Sequence, residues 1–185
     1  MDPATFLAFA LACAPQVHAD TTRALVQVES AFNPWAIGVV GGGLERQPQG
    51  RTEALATATS LRQSGWNFSV GLAQINVANV DRLGLTLEEA FEPCANLAAM
   101  QAVLRDCFDR AGGTEPHAGH PQAALRAALS CYYSGNFTTG RRQGYVQQVA
   151  RAALHPRLIA LPAALPTVLP TTGPTVLPTT LKELP

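Results

Sequence analysis

The stretch DTTRALVQVESAF, residues 20–32, has the spacing of an amphipathic helix with one acid on its apolar side. Asp20 and Thr21 are good helix N-caps. Leu25 lies four residues before Glu29, Val26 three before and Phe32 three after, which on a helix puts all four on one face. That face turns inward, so a carboxylate stands on an apolar stripe. Burial penalises the charged form, and Glu29 is expected to titrate above a free glutamate. A carboxylic acid still protonated near neutral pH can donate a proton to a leaving oxygen. A glutamate at the rim of the stripe would have no such role, and this helix alone favours that plainer reading.

Upstream, Pro3 to Ala12 reads as a first packed helix, with Asp2 as its cap and Pro3 suited to the first turn. The apolar run there is short and no Lys or Arg precedes it, which does not fit a signal peptide. Downstream, Asn33-Pro34 ends the Glu29 helix. Trp35 to Leu44, meeting Gly41-Gly42-Gly43, predicts a small hairpin or irregular strand pair. Further helices are expected over Thr52–Gln63, Val77–Leu83 and Thr86–Phe91, the last with Thr86 and Glu89 spaced as a capping box. Ala95–Ala111 is long and amphipathic, with Leu97, Met100, Leu104, Cys107, Phe108 and Ala111 on one side. A Gly112–Gly119 loop separates it from Pro121–Tyr133, whose Leu125, Ala128, Leu129 and Tyr132 should face inward. Tyr145–Leu154 is the last helix.

The chain has 185 residues, enough for one domain, expected over 1–154, and a tail over 155–185. In the tail TVLPTT occurs at 167–172 and 175–180; such a Pro- and Thr-rich segment is expected to be extended and disordered, a tolerated end rather than a docking arm. Formal net charge is zero with 14% charged residues, which argues against a general electrostatic grip on nucleic acid. No apolar run reaches the ~18–20 residues of a transmembrane helix.

Cys13, Cys94, Cys107 and Cys131 form an even set that permits two disulfides. None are spaced as CxxC, which disfavours zinc. Cys94 and Cys107 would lie roughly 20 Å apart along one helix, too far to bond. Two pairings stay open, Cys13–Cys94 with Cys107–Cys131 or Cys13–Cys107 with Cys94–Cys131, beside the plainer reading of buried free thiols. Of the histidines, at 18, 117, 120 and 155, none falls in the segments around Glu29, Gln74 or Tyr132 described below, so neither a metal site nor a Ser30–His nucleophile is expected.

Four segments occur in a telling order: CAPQVHADT from Cys13, VQVESAFNPWAIGVVGG around Glu29, NFSVGLAQIN at 67–76 and ALSCYYSGNF at 128–137. In that order the chain resembles the lytic transglycosylases of the lysozyme-like superfamily, and among them the specialised enzymes of type IV secretion systems and conjugative plasmids. The resemblance runs from Cys13 to about Leu154. It implies a mainly α, lysozyme-like domain of the goose-type lysozyme/SLT kind, with a small β-hairpin or irregular β region and a cleft. It implies that Glu29 is the catalytic acid. Gly71, Leu72 and Gln74 match the family's Gly-Leu-Met-Gln motif, with Ala73 in place of Met. There the glycine allows close approach to the glycan and the glutamine amide bonds sugar groups. Tyr132 and Gly135 match the Ala-Tyr-Asn-Ala-Gly motif, Tyr133 replaces its asparagine, and Tyr145 resembles a later cleft tyrosine. Ser30 and Asn76, beside these motifs, are further candidates for contact with substrate. Gly38 falls where some related enzymes carry a serine.

Plainer roles are open to each: Gln74 bonding backbone, the Tyr132–Tyr133 pair in the core, Ser30 bonding the previous helical turn. The resemblance implies peptidoglycan glycan strands as substrate, secretion-system components as partners, a periplasmic location and no cofactor. A conventional glycosidase uses two carboxylates. The candidates for a second, Asp81, Glu88 and Glu89, lie outside the matched motifs, so the expected product is a 1,6-anhydro-N-acetylmuramyl end. A muramidase using water, or a non-catalytic wall-binding or assembly module, are the alternatives.

Overall fold

Asp2 accepts a hydrogen bond from the Thr5 amide at 3.0 Å and so opens helix α1, Pro3–Cys13. It is the first element of a computed structural model that describes residues 1–113 and 119–154. The tail over 155–185 and most of the expected Gly112–Gly119 loop lie outside the described residues.

Helix α2 (Ala19–Ser30) follows. Its cap is His18 rather than Asp20 or Thr21, because the His18 ring accepts the Asp20 amide at 3.2 Å; Asp20 instead places its charge in the first turn. Leu25 and Val26 are fully buried, as the stripe requires. Phe32, however, is not on the helix. Ala31 and Phe32 both have positive φ, 49° and 63°, so the helix ends at Ser30. Phe32 still reaches the core by packing edge-on against Phe6, ring centroids 5.0 Å apart.

The β region differs from the local hairpin expected at 35–44. Strand β1 (Ile37–Val39) pairs antiparallel with β2 (Phe68–Val70), which pairs with β3 (Ile75–Asn76), in a three-stranded sheet ordered β1-β2-β3. The partner of β1 therefore comes from beyond helix α3 (Arg51–Gln63). Glycines 41–43 leave the strand without folding it back. The backbone of Ile37 is also held by the Gln47 side-chain amide, which accepts from its N–H at 2.8 Å and donates to its C=O at 2.9 Å.

Helices α4 (Val77–Arg82) and α5 (Leu87–Ala90) come next, α5 with the expected Thr86–Glu89 capping box. Helix α6 (Pro93–Gly112) is the longest element and packs on α1, α4, α5 and α7. Its stripe buries Leu97, Met100, Leu104, Cys107 and Ala111, with Phe108 at the margin. Helix α7 (Pro121–Ser134) buries Ala128 and Leu129 and leaves Leu125 and Tyr132 half-buried. A short helix α8 (Thr139–Arg142), not anticipated in the sequence, connects it to α9 (Tyr145–Leu154), which packs on α2. The outcome is the mainly helical domain with a small β region that was expected.

Two disulfides join the helices. Cys13–Cys94 links α1 to α6 with Cα atoms 5.2 Å apart, and Cys107–Cys131 links α6 to α7 at 5.8 Å. Of the pairings left open by the sequence this is the first, and Cys94 and Cys107 do share one helix. Among the described residues no helix is long and apolar enough to cross a membrane, and no cluster of residues could hold a metal ion.

Candidate active site

A cleft of about 1110 Å³ opens between the sheet and the α6–α7 pair. Its walls come from segments far apart in the chain. Helix α2 brings Glu29; the sheet brings Gly38, Ser69, Gln74 and Asn76; α4 brings Asn79 and Arg82; α6 brings Val103, Asp106 and Arg110; α7 and its exit bring Tyr132, Tyr133 and Gly135. Polar side chains line an otherwise apolar trough, which suits a hydrated yet flat-faced ligand such as a sugar chain.

Glu29 sits in the last turn of α2, half-buried, with its carboxyl pushed up to about 7 from the ordinary 4.5. Desolvation is the larger cause and raises the value; a hydrogen bond from the Tyr145 hydroxyl opposes it. That hydroxyl donates to Glu29 Oε1, while Oε2 has no partner among the described residues. Glu29 thus has one oxygen anchored and one free to carry a proton into the cleft. Tyr145 is 5% exposed and does not line the cleft. It stands behind the acid, and its ring stacks on Tyr133 at 4.6 Å and 20°. Burial, and then the Glu29 charge, hold both the Tyr132 and Tyr145 phenols well above their usual range, so both remain donors.

The GLAQ turn joins β2 to β3 through a dense set of bonds. The Gly71 amide donates to Ala36 O at 2.9 Å, and the Tyr132 hydroxyl donates to Ala73 O at 2.6 Å. Gln74, with φ 49°, turns its Nε2 back onto Ala36 O and Gly71 O, each at 3.0 Å. The plainer role for Gln74, a brace on backbone, is therefore present. Its Oε1 stands where a side chain on Gly38 would begin, 2.7 Å from an ideal Cβ there, and both residues line the cleft. Asn96 completes the turn from behind. Fully buried on α6, it accepts the Ala73 amide at 2.8 Å and donates to Val70 O at 3.0 Å and Ala90 O at 2.7 Å.

The other candidates fall into two groups. Asn76, Tyr132, Tyr133 and Gly135 line the cleft with Glu29 and Gln74. Asn76 caps α4 and also donates to Asn67 Oδ1 at 2.7 Å; Tyr133 is 46% exposed and donates to Gln143 at 3.0 Å. Ser30, Gly71 and Leu72 do not line it. Ser30 donates to Val26 O at 3.3 Å, the previous turn of its own helix. Leu72 is fully buried, and the group in close approach to Gly71 is Asn96. Asp81 pairs with Arg62, Glu88 with Arg51, and Glu89 closes the α5 cap, so none of the three reaches the cleft.

Sequence reasoning missed Asn96, Asp106 and Gln47. Asn96 did leave a signal, a polar residue four positions before Met100 on the buried stripe of α6. Gln47 left none. Asp106 is the second carboxylate on the cleft wall and is tied to Arg110 at 3.1 Å.

The family model of the Transglycosylase SLT domain matches residues 6–154. The chain is 52% identical over 153 residues to the type IV secretion system protein virB1 of Brucella abortus biovar 1, covering 80% of this chain and 63% of that protein. It is 38% identical over 161 residues to the protein virB1 of Agrobacterium fabrum, covering 86% of this chain and 64% of that protein. The chain thus spans a little under two thirds of the length of these relatives. No solved structure matches it.

Proposed function

The chain belongs to the SLT transglycosylase family, and from that premise we propose that it is a lytic transglycosylase that cleaves peptidoglycan glycan strands. The observation that carries the reading is Glu29, the one cleft acid among the described residues without an ion-pair partner, raised to about 7 and anchored at one oxygen. At neutral pH a large share of it holds the proton that bond cleavage requires.

The proposed sequence of events begins with Glu29 Oε2 protonating the oxygen between N-acetylmuramic acid and N-acetylglucosamine. As the C1–O bond breaks, the carbonyl oxygen of the muramyl N-acetyl group stabilises C1. The same sugar's C6 hydroxyl then attacks C1 and returns its proton to Glu29. The products are a free C4 hydroxyl on one fragment and a 1,6-anhydro ring on the other. An internal hydroxyl competes well against water, since tethering gives effective concentrations of roughly 10⁵ M or more. Gln74 Oε1 supplies an acceptor for sugar hydroxyls or amides, and the exposed Tyr133 ring a face for an apolar sugar surface. No step calls for a cofactor.

A muramidase would need a base to activate water. Asp106 is the other carboxylate on the wall, but its bond to Arg110 favours a structural task. The likeness to a type IV secretion system protein supports a task beside such an apparatus, and cleavage of glycan strands in the periplasm would open the wall for it or for a conjugation apparatus. Digestion of purified sacculi followed by mass analysis of the muropeptides tests the chemistry. Products should be one water lighter than hydrolase products and resist borohydride, and Glu29→Gln should abolish their release. Mostly reducible ends would replace the transglycosylase by a muramidase; an active Glu29→Gln would remove Glu29 from the mechanism.

A further inference from the structure

The charges along the cleft balance in number but not in pairing. Its acidic and basic side chains are Glu29, Arg82, Asp106 and Arg110. Arg110 is neutralised by Asp106 on the next turn of α6. Glu29 is neutral in the form that donates a proton. Arg82 has no carboxylate partner among the described residues. The nearest in sequence, Asp81, is turned away and engaged by Arg62 of α3 at 2.7 Å. What Arg82 does have is a brace: its Nε donates to Asn79 Oδ1 at 3.1 Å, and both side chains lie on the cleft-facing side of α4. The brace uses one donor and leaves the two terminal nitrogens of the guanidinium fork without a partner among the described residues; such a fork matches a carboxylate in geometry and in charge.

We propose that Arg82, held by Asn79, determines specificity by receiving a carboxylate carried on the muramyl side group of the bound glycan. The proposal rests on the reading of the cleft as a glycan site. The backbone of the glycan is uncharged, so a cation without an ion-pair partner in its cleft finds none on the sugar rings themselves. The anionic groups of this polymer hang from the muramyl lactyl ether. They are the carboxylates of a peptide stem or, where the stem has been removed, the lactyl carboxylate. Arg82 on α4 lines the same trough as Val103 and Asp106 of α6, so a substituent carried by a strand in the trough can meet it. An exposed contact of this kind acts on binding more than on the chemical step, so its loss should appear in KM.

The test compares wild type, Arg82→Ala and Arg82→Lys on three soluble glycan substrates. One bears peptide stems, one has been stripped by an amidase to the lactyl carboxylate, and one is stripped and then capped as the lactyl methylamide. Arg82→Ala should lose about fivefold to tenfold more kcat/KM on carboxylate-bearing strands than on capped ones, through KM, with the difference shrinking at high salt. Arg82→Lys should recover part of it. Selective loss on stem-bearing strands assigns the peptide carboxylates, and loss on stripped strands assigns the lactyl carboxylate. Equal losses on all three substrates, or no loss on any, would overturn the proposal. Wild-type enzyme that digests none of them would instead overturn the glycan-cleaving function on which it rests.

Discussion

Glu29 shows how an acid is made from one residue and its surroundings. Its value of about 7 in the folded state lies above the ordinary 4.5, so between these the native state holds a proton that the unfolded chain has released. The sign follows. The stabilisation is fully present below about pH 4.5 and is lost as pH rises through about 7, by an amount on the order of 3 kcal/mol. Melting temperature followed from pH 4 to 8 should fall for wild type and stay flatter for Glu29→Gln. Tyr145 works in the opposite direction, because a hydrogen bond to the carboxylate favours the charged form. Tyr145→Phe keeps the ring that stacks on Tyr133 and removes only that bond. The alkaline limb of the kcat/KM profile should therefore move to higher pH in the variant. A fall in rate with the limb unmoved would give Tyr145 a packing role only.

At the scale of an element, the β2–β3 turn is the least tolerant part of the site. Gly71 has φ 80°, and a Cβ added there would lie 2.3 Å from Asn96 Nδ2 and 3.0 Å from Ala90 O. Strain and overlap act together, so Gly71→Ala should cost about 2–4 kcal/mol by urea titration. Asn96 would have to leave its three backbone partners to make room, and the turn that presents Gln74 would shift. The same substitution at Gly43, where nothing lies within 4 Å and φ is not positive, is the control and should be nearly neutral. The helices around this turn were readable in the sequence because their caps and stripes are local. The turn itself was readable only as a motif, since its partners Ala36, Ala90, Asn96 and Tyr132 come from four other places in the chain.

For the whole molecule, α6 is the axis to which both disulfides attach. Cys13–Cys94 spans 81 residues and Cys107–Cys131 spans 24. On chain-entropy grounds the longer loop restrains the unfolded state more, about 4–5 kcal/mol against about 3–4. Replacing each pair by alanines should therefore destabilise the protein more at 13/94 than at 107/131, by roughly 1 kcal/mol in urea unfolding. Equal losses would mean that packing between the helices, rather than loop closure, sets the cost. The second disulfide also lines the cleft, so its loss should change sacculus digestion as well as stability.

Local patterns in the sequence were enough for the helical class, the limits of most helices, the capping box of α5 and the apolar stripe that carries Glu29. Such features depend on neighbours within about four residues, and periodicity records them directly. The motif order brought Glu29, Gln74, Tyr132 and Tyr133 together on the page before it did so in space. Tertiary structure decided the rest. The pairing of β1 with β2 across α3, the choice between two disulfide patterns, the fully satisfied Asn96 and the idle partners of Asp81, Glu88 and Glu89 all rest on contacts between distant segments. So does the assignment of Ser30, Gly71 and Leu72 to the back of the wall and of Arg82 to its face. A side chain's neighbours across a fold leave no period along the chain. Which oxygen of Glu29 is held, and which charge in the cleft lacks a partner, became visible only once the chain had closed around them.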